Sequence, residues 1–149
     1  MEFGLSEDQK LLLESIRGTL ERVSPLERVR KVAEARETEA PEIRQAMVEL
    51  GVPGMLVPEE HGGMGMTLLD AALVSEMLGR FVAPTPFIGT SIMAPIAIAG
   101  AGSKAQQEAW LPKLASGSIV AGVAVSERAS GARDGAGIAA SGGKLTDGR

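Results

Sequence analysis

Three helix-start signals of one kind recur along the chain, and they constrain its fold more than any other feature. In each signal a Ser or Thr is followed three positions later by Gln or Asp. The pairs are Ser6 and Gln9, Thr67 and Asp70, and Ser103 and Gln106. In such a capping box each side chain satisfies a backbone amide that the first helical turn leaves without a partner. We therefore predict that helices begin at these three places.

Apolar residues behind these signals fall at helical spacing. The first predicted helix ends before Pro25, and a second, highly charged helix covers residues 26–37. A third begins at Pro41 and stops at Gly51. Further helices are predicted after Thr67, at 87–99 and after Ser103. Five or six helices thus predict a helical bundle for this part of the chain.

The predicted buried faces follow the same spacing. On the second helix they are Leu26, Val29 and Val32. On the helix after Thr67 they are Leu69, Leu73, Met77 and Phe81.

The sequence pattern changes after Gly117. Residues 119–125 are rich in β-branched side chains and predict a mostly buried strand. Residues 138–141 predict a second strand, 142–143 a tight turn, and 144–146 the opening of a third. Two or three strands do not form a free-standing sheet with its own core.

The 149 residues are enough for one domain or for one domain and part of another. We predict a mainly α protein with a helical domain at 1–117. The beginning of a truncated β domain follows at 118–149.

Composition excludes several functional classes. The chain has no Cys and a single His, so we expect no disulfide, no cysteine nucleophile and no metal site. Its 15 Lys and Arg are scattered among 19 acidic residues and give a net charge of −4, which argues against nucleic acid as a partner. The most apolar stretch, 92–102, is shorter than the roughly 20 residues of a membrane span. With an acidic N-terminus that has no apolar core, the sequence predicts a cytoplasmic protein.

Two sites of possible chemistry lie in the glycine-rich loop before Thr67. His61 adjoins Glu59 and Glu60, which suggests an acid–base pair, but adjacent loop residues seldom converge and a solvated loop is favoured. Residues 63–65 precede a helix as a phosphate-binding loop would, yet a dinucleotide fingerprint needs a third Gly where Leu68 stands.

Five segments, in order, resemble the acyl-CoA dehydrogenase superfamily. They are residues 50–65, 76–80, 98–100, 106–117 and 124–127, preceded by the matching opening phrase at 5–12. The resemblance covers almost the whole chain, and its weight comes from five segments in register rather than from any single motif.

The resemblance implies a flavoenzyme with a helical N-terminal domain, a middle β domain and a C-terminal four-helix domain. Such enzymes bind FAD and oxidise the Cα–Cβ bond of an acyl-CoA thioester. A carboxylate base removes the α-proton while hydride passes from Cβ to the flavin. In most members the base is a Glu of the C-terminal domain, expected beyond Arg149. The chain alone is therefore expected to be inactive and not to retain FAD.

The resemblance also implies which residues face the flavin. Hydrogen-bond donors fixed near the flavin ring stabilise the negative charge that it gains on reduction. The family's Thr or Ser and main-chain groups at the end of the first β strand correspond to Ser126, Val125 and Val123. Gly131 keeps the place of a family glycine further along.

For the substrate, the resemblance implies that residues 87–93 form one wall of the acyl site. Phe87 and Ser91 are the candidate contacts, with core packing left open as an equal alternative. A family hydroxyl that contacts the flavin pyrophosphate or the CoA is replaced by Ala132, and Ser130 or Arg133 is the expected substitute.

The partners implied are an acyl-CoA, an acceptor of the electron-transfer flavoprotein type, and other subunits in a homo- or hetero-oligomer. An alternative, motivated by Ala132 and Arg133, is a non-catalytic subunit or degenerate paralogue that pairs with an active dehydrogenase subunit. A related flavin oxidase or monooxygenase is a third interpretation.

Overall fold

The computed structural model describes residues 4–123, 138–141 and 144–147. Its α-helices are α1 (Glu7–Val23), α2 (Leu26–Ala35), α3 (Pro41–Glu49), α4 (Leu68–Arg80), α5 (Ala94–Ala101) and α6 (Lys104–Ala115). Two 3-10 turns, Val52–Gly54 and Glu59–His61, lie between α3 and α4, and a π-helical segment, Ile88–Met93, runs directly into α5. Within the described residues, no helix combines the length and the apolar character needed to cross a bilayer. The mainly helical fold predicted from the sequence is confirmed.

All three predicted capping boxes are present. At the start of α1, α4 and α6 the hydroxyl residue accepts from the amide three positions on, and the side chain at that position accepts from the hydroxyl residue's own amide. The first two boxes are also joined, because Gln9 Nε2 donates to Asp70 Oδ1 over 2.8 Å. This bond fixes the beginning of α1 against the beginning of α4.

The helix ends follow local backbone chemistry. As predicted, α1 ends before Pro25, and α3 begins at Pro41 and is followed by Gly51, which has a φ of +73°. The second helix is shorter than the predicted 26–37, because Arg36 adopts a left-handed conformation (φ 55°) and ends it at Ala35.

Two clusters of buried side chains form the core. The larger joins α1 to α4 and includes Ile16, Leu20, Ile43, Met47, Val74 and Phe87. The smaller contains Val57, Ala94, Leu111 and Leu114. Ile119, Ala121 and Val123 pack against the smaller cluster, so the chain after α6 lies along the helical domain.

Two predicted buried positions are wrong. Leu26 is 55% exposed, because it is the first residue of α2. The other two residues of the predicted set, Val29 and Val32, are buried. Leu69 is 59% exposed, because the bond from Gln9 directs the neighbouring Asp70 toward α1. The buried face of α4 is therefore Asp70, Ala71, Val74 and Leu78, and Leu73, Met77 and Phe81 lie at its edge, half-buried.

The predicted helix at 87–99 has two parts. It begins as the π-helical segment, in which the amide of Ala94 bonds to the carbonyl of Gly89, and continues as α5. Pro95 is the second residue of α5 and has no amide to donate to the preceding turn. Because this amide is missing, the turn before Pro95 is a wider π turn, which hydrophobic periodicity does not predict.

The predicted strand at 119–125 is not paired over its described part, 119–123. Both backbone groups of Ala121 bond instead to the Thr90 hydroxyl. The second and third predicted strands are confirmed as an antiparallel hairpin of β1 (Ile138–Ser141) and β2 (Lys144–Asp147), with Ala139 opposite Thr146. The predicted turn at 142–143 and the end of the first strand lie outside the described residues.

Candidate functional site

The predicted acyl wall is the segment around the π-helix. Phe87 is 6% exposed and belongs to the larger core cluster, and Ser91 is 4% exposed. Both side chains border a void of about 20 Å³, which Arg44 and Gly117 also line. That volume suits about one water molecule. A substrate role for Phe87 and Ser91 stays a prediction.

The adjoining residue, Thr90, connects this segment to the chain after α6. Its Oγ1 donates to the carbonyl of Ala121 over 3.0 Å and accepts from the amide of Ala121, also over 3.0 Å. One buried hydroxyl thus satisfies both backbone groups of a residue 31 positions away. We call this pair of hydrogen bonds the Thr90 clamp.

Gly89 permits the close approach that the clamp requires. A Cβ at Gly89 would lie 2.9 Å from the carbonyl oxygen of Ala121 and 3.4 Å from Cα of Gly122. The first distance is shorter than real side chains tolerate, so a larger residue would push the two segments apart. Gly89 and Thr90 therefore act together.

Of the residues predicted to face the flavin, only Val123 is described. It is half-buried and packs against the smaller core cluster. Val125, Ser126, Ser130 and Gly131 lie outside the described residues, and their roles stay predictions. The clamp holds Ala121 five positions before Ser126.

An open apolar groove of about 630 Å³ lies beside the clamp. It runs between α5, α6 and the segment at 119–121, and Ile98, Leu114 and Val120 are among its lining residues. Trp110 stands at this groove and is 46% exposed, with Lys113 Nζ 4.9 Å from its ring centroid.

Sequence reasoning missed both the groove and the clamp. The clamp had a weak signal, because Gly89, Thr90 and Ser91 interrupt an otherwise apolar segment at 87–99. The groove had no such signal, because the exposure of Trp110 is known only from the structure.

The glycine-rich loop is not a phosphate cradle. Each amide from Gly63 to Met66 bonds to a backbone carbonyl of this same region, at 2.8 to 3.2 Å. The acceptors are Pro58, Gly54, Val57 and Met55. Since an anion site needs free amides, the phosphate-binding alternative fails here.

His61 and Glu60 lie within ion-pair distance but are too far apart for a hydrogen bond. The His61 Nε2 to Glu60 Oε1 distance is 3.7 Å, and the Glu60 side chain is solvated. Most residues of this loop are exposed, as the favoured interpretation predicts, although the His61 side chain is only 14% exposed. In the described part of the chain, no three His, Cys, Asp or Glu side chains are grouped as metal ligands.

Comparison with known proteins agrees with this geometry. Residues 6–118 match the family model described as "Acyl-CoA dehydrogenase, N-terminal domain". A (2S)-methylsuccinyl-CoA dehydrogenase of Cereibacter sphaeroides is 44% identical over 81 residues, which are 53% of this chain and 15% of that protein. Over this and two further curated relatives, the chain spans only 15% to 34% of each relative's length.

Solved structures show the same fold. The ChsE4-ChsE5 complex from Mycobacterium tuberculosis has a TM-score of 0.77 at 24% identity, over 86% of this chain and 35% of that chain. An acyl-CoA dehydrogenase from Bacillus anthracis, complexed with FAD, has a TM-score of 0.65 at 25% identity, over 83% of this chain and 21% of that chain. The match to the family model covers the helical domain from its first capping box to the end of α6. The chain belongs to the acyl-CoA dehydrogenase family, and residues 6–118 are its N-terminal domain.

Proposed function

We propose that this chain is the N-terminal part of an FAD-dependent acyl-CoA dehydrogenase, which oxidises the Cα–Cβ bond of an acyl-CoA thioester. The observation that supports it most is the Thr90 clamp. It ties the segment expected to contact the acyl chain to the segment expected to lead into the flavin site. Hydride transfer from the acyl chain to the flavin requires that the segments that contact them be held at a fixed distance and orientation.

The roles proposed for this chain's residues are binding, orientation and exclusion of water. FAD, when bound, supplies the hydride acceptor. Ser126 and the main chain at Val123 and Val125 would donate to the flavin where negative charge develops. The segment that carries Phe87 and Ser91 would border the acyl chain with an apolar surface. The base that takes the α-proton would come from the domain that relatives have beyond the matched part.

The partners proposed are those of the family. An acyl-CoA is the substrate, a protein of the electron-transfer flavoprotein type is the acceptor, and the working enzyme is a homo- or hetero-oligomer. These proposals draw support from family membership. The exposed groove around Trp110 adds that this face of the helical domain has apolar surface available for contact.

The test compares residues 1–149 with the complete gene product. We expect residues 1–149 to elute colourless from gel filtration and to give no dye reduction with acyl-CoA thioesters. We expect the complete product to be yellow and to reduce the dye. Yellow, active protein from residues 1–149 would refute the assignment of the base and most flavin contacts to residues outside it.

The same preparation separates the alternatives. A complete product that elutes without flavin, in complex with a second dehydrogenase-like chain, would instead establish a non-catalytic subunit. Turnover that consumes oxygen without a protein acceptor would establish an oxidase.

A further inference from the structure

We infer that Thr90 is a positioning residue for the flavin-dependent reaction, which it serves by holding the main chain of Ala121. This inference rests on the proposed function for its catalytic consequence. Its structural part, the clamp, stands on the hydrogen bonds alone.

The Thr90 clamp is a specific buried contact between the π-helical segment and the chain after α6. Thr90 is 5% exposed, so its hydroxyl has almost no water to bond with, and both of its hydrogen bonds go to one residue. A strand neighbour in a sheet would satisfy the amide and carbonyl of Ala121 in the same way. Thr90 thus replaces a strand on this side of the segment at 119–123.

The π-helical segment supplies the geometry for this contact. Its widened turn carries Gly89 and Thr90 side by side, Gly89 allowing backbone approach and Thr90 providing the hydroxyl. Single π turns inside helices are frequent at functional sites. Here the turn lies where the predicted acyl wall meets the segment at 119–123.

A displacement of Ala121 would therefore move Val123, whose main chain is proposed to donate to the flavin, relative to the segment at 87–93. Misplacement of this kind acts on the transition state more than on ground-state binding. The expected signature is a fall in kcat with a smaller change in KM. A merely structural threonine would change thermal stability and leave kcat per bound flavin intact.

The test uses Thr90→Val in the complete protein, because valine keeps the shape and removes both hydrogen bonds. Thr90→Ser, which keeps the hydroxyl, is the rescue variant. Thr85→Val is the matched control, since Thr85 is half-buried nearby and its hydroxyl makes no hydrogen bond within the described residues. Gly89→Ala attacks the same contact from the backbone side, with Gly79→Ala as its control because a Cβ there meets nothing within 4 Å.

The first readout is independent of the flavin. Hydrogen exchange of the peptide that contains the Ala121 amide, measured on flavin-free protein, should speed up by about fivefold or more in Thr90→Val. Gly89→Ala should have the same effect, while Thr90→Ser and both controls stay near wild type. Unchanged exchange in Thr90→Val and Gly89→Ala would overturn the clamp. If Thr90→Val does not fold, the decision passes to Gly89→Ala and Thr90→Ser.

The second readout is kcat per bound flavin. We expect it to fall by about tenfold in Thr90→Val and to recover in Thr90→Ser. Faster exchange with unchanged kcat would overturn the positioning role and leave a structural contact. A wild-type protein without flavin or turnover would defeat the proposed function instead, and the exchange measurement would still decide the clamp.

Discussion

At the scale of the residue, Asp70 shows how one side chain joins two helices. Its Oδ2 accepts from the amide and the hydroxyl of Thr67, and its Oδ1 accepts from Gln9. These bonds, the Thr67 hydroxyl first and Gln9 second, hold the pKa of Asp70 below its ordinary value of 3.8. A carboxylate whose pKa is lower in the folded state stabilises the fold above its unfolded pKa. That contribution disappears as the pH falls through the lowered pKa.

We therefore predict that Asp70→Asn lowers the free energy of unfolding at neutral pH by about 1–3 kcal/mol. The difference from wild type should shrink as the pH drops below about 4. Urea denaturation of both proteins at pH 7 and at about pH 3 measures it. Asp8→Asn is the control, because Asp8 is exposed in the first turn of α1. An equal loss at both pH values would contradict this account of Asp70.

Gly63 lies at a position where the folded loop leaves no room for a side chain. A Cβ there would overlap the backbone carbonyl of Val57 in the folded loop. We predict that Gly63→Ala lowers the free energy of unfolding by about 1–3 kcal/mol. Gly18→Ala, within α1 where a Cβ meets nothing within 4 Å, should raise it by about 0.5–1 kcal/mol. Thermal melts of the two variants should shift in opposite directions, and shifts of the same sign would refute the packing seen around Gly63.

At the scale of the element, what the sequence reveals depends on how local the cause is. The capping boxes are predictable because both partners lie within three residues. The exposure of Leu26 and Leu69 is not predictable in this way, because contacts with other helices decide which side of an amphipathic helix is buried.

The burial of the candidate site residues likewise depends on distant parts of the chain. Phe87 and Ser91 are placed by the resemblance on a segment that folds as a helix, but their burial depends on α3 and on the chain after α6. The Thr90 clamp joins residues 31 positions apart and replaces a strand pairing that β-branched composition predicts. Spacing along the chain contains no information on such a contact.

At the scale of the whole molecule, the described residues form a helical domain, and we propose that it supports a site that other residues complete. It holds the segment at 87–93 and the segment at 119–123 in a fixed relation through the Thr90 clamp, and it exposes the apolar groove beside them. The chain spans about a third or less of the curated relatives discussed above. We propose that the base and the acceptor surface lie outside residues 1–149.

The most direct test of this account is a titration of the complete gene product with acyl-CoA thioesters of short, medium and long chains, followed by flavin absorbance under anaerobic conditions. We predict that at least one thioester bleaches the flavin as hydride is transferred and that an added electron acceptor restores the absorbance. A flavin that is bound but stays oxidised with every thioester, or a complete product that binds no flavin, would contradict the proposed function.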